Sequence, residues 1–151
     1  MTSIAPTRPV VVGVDGSEVS RRATEVAFEE AAARGAELHA VHTWVDTQIQ
    51  GPGAGYAVSE DHWQAVQQEK AEVLGSYLDE LSAKYPDVKV TKTITRDRPV
   101  RALASEAEGA QLLVTGSHGR GGFKGMLLGS TSRALLQSAP CPMMVVRPQD
   151  V

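Results

Sequence analysis

No disulfide can close within this chain, because Cys141 is its only cysteine. The fold must therefore be held by a packed core, for which 151 residues are long enough. Flanked by Pro140 and Pro142, that one cysteine reads as a small packed thiol rather than a redox sensor. No apolar run approaches the roughly 20 residues of a membrane span. The opening MTSIAPTRP lacks the apolar stretch of a signal peptide, so the cytoplasm is the expected compartment. The chain also lacks a basic excess: a net charge of −3 argues against a general nucleic-acid binder. Metal-ligand clusters are missing too. His39 and His42 lie three apart in an expected strand and so fall on opposite faces. No Ser/His/Asp arrangement or paired acids can be argued, and no internal repeat is found.

What the chain does have is concentrated in Leu112 to Ser132, LLVTGSHGRGGFKGMLLGSTS. Leu112-Leu113-Val114-Thr115 has the length and apolarity of a buried strand. Six glycines follow within fourteen residues: Gly116, Gly119, Gly121, Gly122, Gly125 and Gly129. Ser130, Thr131 and Ser132 come next, then a helical stretch from Arg133 to Ser138. A strand that passes through a glycine-rich loop into a hydroxyl-capped helix aims backbone N–H groups at a phosphate. Glycine lets the backbone approach the ligand, and the helix N-terminus adds about half a positive charge. His118, Arg120 and Lys124 bias the same loop toward anions.

Two familiar phosphate motifs fail. The pattern GxxxxGK[ST] is broken because Lys124 stands between Phe123 and Gly125, and GxGxxG because Lys124 occupies the third glycine's place. What fits is Gly116-x-x-Gly119, nine residues, then Gly129-Ser130. That spacing, with the surrounding TGSHGRGGFKGMLLGSTSRALLQSAPCPMMVV, resembles the nucleotide-binding signature of the universal stress protein family.

The rest of the chain supplies the architecture. Pro9 to Asp15, PVVVGVD, is an apolar run suited to a strand covered on both faces. Ser17 or Ser20 can cap the helix after it, and Gly35 ends that helix. Ala36 to Trp44 is a second strand, and residues 46–58 form a glycine-rich loop. A long helix from Ser59 carries Trp63, Val66, Val73, Leu74, Tyr77, Leu78 and Leu81 at helical spacing, with Pro86 as its stop. Val88 to Thr95 alternates apolar and polar, as a strand near a sheet edge does. Pro99 opens a third helix, which ends at Gly109, and Met143 to Arg147 is a last strand. Five strands alternating with four helices predict an α/β domain spanning residues 1–151: an open, doubly wound parallel sheet with helices on both faces. The resemblance implies the strand order 3-2-1-4-5.

In that order the sheet reverses between strands 1 and 4, which brings Asp15 and Gly116 to one crevice. Residue by residue, the resemblance implies that Gly13, Val14 and Asp15 flank the nucleotide, with Asp15 near the ribose or a phosphate-bound Mg²⁺ or Mn²⁺. Asp15 can also cap the following helix, and the two roles can coexist. Thr43 would lie where the adenine is contacted, and Thr115 and Gly116 would pack beside the adenosine. Gly119, Gly129, Ser130, Thr131 and Ser132 would hold the phosphates of ATP. The expected function is an ATP-binding stress-response regulator in which binding, not turnover, is the signal. A slow ATPase or self-phosphorylating enzyme, a structural dimerisation module and a flavodoxin-like flavin protein are the alternatives. Against the last, the phosphate loop here follows strand 4 instead of strand 1. The fifth strand should lie at a sheet edge, and an unguarded apolar edge predicts a homodimer through Met143–Arg147; the resemblance implies the same. No nucleic-acid or membrane partner is expected.

Overall fold

The computed structural model describes residues 8–44, 60–118 and 128–148. Within them five strands alternate with four helices. In chain order these are β1 (Val10–Gly13), α1 (Glu18–Arg34), β2 (Leu38–Trp44), α2 (Glu60–Ser82) and β3 (Val90–Arg96), then α3 (Pro99–Glu106), β4 (Leu112–Gly116), α4 (Ser130–Ser138) and β5 (Met143–Val146). Every pairing is parallel, and the order across the sheet is β3-β2-β1-β4-β5, as expected.

Side chains alternate across a strand, and β1 shows the consequence. Val10 and Val12 pack with Ala23, Ala27 and Phe28 of α1 and with Leu74 and Leu78 of α2. Val11 points the other way and packs with Val41, Leu113, Leu103 of α3 and Leu135 of α4. Helices α1 and α2 therefore cover one face of the sheet, and α3 and α4 the other. Strands covered on both faces read as unbroken apolar runs, and Val10, Val11, Val12, Leu113 and Val114 are indeed fully buried. Phe28, equally buried, stacks on Tyr85 with ring centroids 5.6 Å apart. Full burial of such a side chain contributes about 1.5–3 kcal/mol.

The element ends are set by local chemistry. Ser17 is the N-cap of α1, its Oγ accepting from the Ser20 amide at 3.1 Å. At the other end Gly35 and Ala36 bond back to the carbonyls of Ala32 and Ala31. Helix α2 stops at Ser82, short of the expected Pro86. Its last turn tightens as Lys84 and Tyr85 donate to Leu81 and Ser82, because the residue before a proline is driven out of helical geometry. Val73, counted above with the helical apolar pattern, is 68% exposed; Leu74, Leu78 and Leu81 carry the buried stripe instead. Helix α4 begins at Ser130, three residues earlier than expected, and its N-cap is Gly129 in place of a hydroxyl residue. The expected 46–58 loop and Gly119 to Gly125 lie outside the described residues.

Candidate functional site

An open parallel sheet offers its ligand crevice beyond the carboxyl ends of the strands where the order reverses. Here β1 pairs with β2 on one side and with β4 on the other, so the reversal lies between β1 and β4. A cavity of about 110 Å³ sits there. Among the described residues it is lined by Gly13, Val14, Asp15, Thr43, Thr115, Gly116, Thr131 and Ser132, all expected from the sequence. Ser20, Val41, Pro99, Leu103 and His118 complete the lining. Gly129 and Ser130 stand just outside it, at the start of α4. Gly119 belongs to the residues not described.

Glycines let the strand ends pack closely against the flanking helices. A Cβ on Gly116 would lie 2.8 Å from Val19 Cγ1 and 3.3 Å from the Val19 backbone. A Cβ on Gly13 would lie 2.9 Å from Leu103 Cδ1, so α3 leans over β1 at this point. Beyond Gly13 the chain is pinned: the Val14 amide donates to Val41 and its carbonyl accepts from His42 Nδ1 at 2.6 Å. Asp15 is not the cap of α1. Its Oδ1 accepts from the Ser17 amide at 2.8 Å, and its own amide donates to Ser20 Oγ at 3.0 Å. That turn holds the carboxylate at the cavity wall, with Oδ2 outside the turn.

The opposite wall is built from the start of α4. Ser117, fully buried, donates its amide to Val146 of β5 and accepts the Gly129 amide on its carbonyl. Its Oγ lies 2.9 Å from His118 Nδ1. Ser132 Oγ donates to the Gly116 carbonyl at 2.6 Å, so this hydroxyl ties α4 to β4 and leaves the backbone to face an anion. The two helix N-termini near the crevice differ in a telling way. Helix α1 has a Ser17 side-chain cap and Glu18 in its first turn, which already satisfy its positive end. Helix α4 has no side-chain cap and no acid in its first turn. Its leading amides and dipole are left for an external anion. A larger cavity of about 360 Å³ lies on the other face of the sheet, between α1 and α2, and shares Val14, Asp15 and Ser20. It has the capped helix at its edge, whereas the smaller cavity has the uncapped one.

One atom in the smaller cavity's wall is out of place in a ligand-free protein. Thr115 is 4% exposed, and its Oγ1 has no hydrogen-bond partner among the described residues. An unmet buried hydroxyl costs about 1–3 kcal/mol, and a bound ligand with a polar edge would remove that cost. The wall from α3 was not foreseen. Helical spacing marks Leu103 as apolar but does not say which sheet face it meets. Pro99 was expected only as a helix start. Val41 could have been found, since it lies two residues before Thr43 and so shares its face. His39 and His42 do lie on opposite faces: His39 contacts Thr91, Thr93 and Glu106. Among the described residues no group of three or more His, Cys, Asp or Glu could hold a metal by itself. None of their helices is long and apolar enough to cross a membrane.

The fold and the crevice define a doubly wound α/β domain that presents an uncapped helix N-terminus at its switch point. Residues 6–147 match the Universal stress protein family, and the chain belongs to that family. The Universal stress protein Rv2005c of Mycobacterium tuberculosis (strain ATCC 25618 / H37Rv) is 49% identical over 140 residues, 92% of this chain and 45% of that protein. The chain thus spans about half the length of the curated relatives it matches. Among solved structures, the universal stress protein UspA from Lactobacillus plantarum superposes with a TM-score of 0.77 at 20% identity, over 95% of this chain and 100% of that one. A universal stress protein solved in complex with cAMP has a TM-score of 0.66 at 26% identity, over 94% and 98%.

Proposed function

We propose that this protein binds ATP at the β1–β4 crevice and serves as a regulator whose bound state is the signal. The observation that carries the reading is the uncapped start of α4, Ser130 to Ser132 after the N-cap Gly129, set directly against the end of β4. It supplies amides where the Gly116-x-x-Gly119…Gly129-Ser130 spacing expects phosphates. The solved relative with cAMP supports an adenine nucleotide as the ligand class. Gly119, Gly129, Ser130, Thr131 and Ser132 hold the phosphates, the last through its amide. Thr43, Thr115 and Gly116 flank the adenosine, and Gly13 and Val14 form the floor. Asp15 faces the ribose or a Mg²⁺ or Mn²⁺ carried by the phosphates.

The unit acts as a homodimer through β5. That strand ends the sheet and all four of its residues are half-buried, an apolar edge with open backbone groups. Met143 and Met144 adapt readily to a symmetric contact. Native mass spectrometry of the freshly purified protein tests the ligand. The expected result is the added mass of an adenine nucleotide; a flavin mass would overturn the reading.

A further inference from the structure

We infer that Thr115 is a specificity residue for the base, its hydroxyl donating a hydrogen bond to a ring nitrogen of the bound purine. The inference rests on the nucleotide reading above and names what the base end of that site recognises. Three observations carry it. First, Thr115 lines the cavity while its Oγ1 is buried with no hydrogen-bond partner among the described residues. Second, its position is deep: it is 4% exposed, follows Val114, the last residue of β4 paired with β1, and lies beside Val145 in the β4–β5 register. Third, its surroundings there are apolar, with Val41, Pro99 and Leu103 in the same wall, and the absent Cβ of Gly13 lets Leu103 overhang the floor.

The part of the cavity bounded by Val41, Pro99 and Leu103 is apolar, and Thr115 Oγ1 is the buried polar atom there without a hydrogen-bond partner among the described residues, which suits a flat ring carrying an acceptor nitrogen. The sugar and phosphates are strongly hydrated and belong toward Asp15 and the α4 amides. The hydroxyl also has no structural employment. Valine has the same shape, and in the ligand-free protein it would remove an unmet polar group, so stability alone favours valine at this place. A hydrogen bond from a site residue to a substrate ring is the kind of contact whose loss is felt strongly, because the buried partner is left unmet.

The test uses ligand-stripped wild type, Thr115→Val and Thr115→Ser. Each is titrated calorimetrically with ATP and with ATP analogues in which one ring nitrogen is replaced by CH. The expected result is about ten-fold weaker ATP binding in Thr115→Val, with Thr115→Ser within about three-fold of wild type. One analogue should lose the same factor in wild type and lose nothing further in Thr115→Val, which makes the pair a double-mutant cycle. Ligand-free Thr115→Val should unfold no lower than wild type and up to about 4 °C higher. Three outcomes overturn the inference: Thr115→Val binding ATP as wild type does, every analogue losing equally in both proteins, or a lowered unfolding midpoint in ligand-free Thr115→Val. Wild type that binds ATP while showing any of these leaves the nucleotide reading standing. Wild type that binds no adenine nucleotide overturns both.

Discussion

Gly129→Asp separates anion binding from folding, because it pushes the two in opposite directions. Gly129 is the N-cap of α4 with φ −71° and ψ 167°, an extended conformation open to any residue. Aspartate is among the best N-caps, and its side chain accepts from the second or third amide of the helix, here Thr131 or Ser132. Against glycine the cap contributes a few tenths of a kcal/mol, and a carboxylate at the positive end of the dipole adds about 0.3–1 kcal/mol. Folding should therefore be unchanged or slightly strengthened. Binding should fail, because the new carboxylate occupies amides reserved for the phosphate and repels it. Two charge-assisted bonds at about 1.5–3 kcal/mol each correspond to about 10²–10⁴-fold in Kd. The assay is calorimetric titration with ATP beside thermal unfolding of the ligand-free protein, with Gly129→Ala as the uncharged control that leaves the amides open. Gly129→Asp that binds ATP with wild-type affinity would refute the reasoning. A loss of cooperative unfolding would show that the loop end is structural.

Other outcomes follow from particular contacts. Gly116→Ala drives a Cβ to 2.8 Å from Val19 Cγ1 and 3.3 Å from its backbone, so α1 must move off β4. Thermal or denaturant unfolding should show a loss of about 1–3 kcal/mol. Val145→Pro removes an amide and distorts the apolar edge β5, and should convert a sedimenting dimer into a monomer at micromolar concentration. A wild type that is already a monomer there removes β5 as an interface. Burial raises the pKa of Tyr77, whose hydroxyl donates to the Arg21 carbonyl at 3.1 Å. A raised folded-state pKa means stability that is full below the ordinary phenol value of 10.0 and is lost as pH climbs through the folded value. Denaturant midpoints should fall above pH 10 in wild type and fall less in Tyr77→Phe, which cannot ionise.

How legible all this was depended on whether a feature is local. Pro9–Asp15 and Leu112–Thr115 announced buried parallel strands because both faces of β1 and β4 are covered, which leaves no polar alternation to confuse the reading. The residues proposed for the phosphates are equally local, since the glycine spacing and the hydroxyls sit in one continuous stretch of sequence. The cap assignments were harder. Ser130, Thr131 and Ser132 all qualify by chemistry, yet Gly129 is the cap and Ser132 bonds to Gly116, a residue sixteen positions away. Asp15 likewise shapes a turn with Ser17 and Ser20 instead of capping α1. The crevice wall from α3 was least legible. Pro99 and Leu103 reach the crevice only because α3 crosses to the other face of the sheet, and periodicity within one helix carries no information about which face it will meet. Val73 shows the same limit in reverse: it keeps helical register with Val66 and Tyr77, yet it is 68% exposed while Leu74, Leu78 and Leu81 carry the buried stripe.

The central claim is that the α4 N-terminus and the β4 end together form a nucleotide cradle. Calorimetric titration of ligand-stripped wild-type protein with ATP and Mg²⁺ tests it most directly. The account predicts a saturable heat of one nucleotide per chain, abolished in Gly129→Asp. No heat at millimolar ATP, from protein shown to be folded and free of ligand, would contradict it.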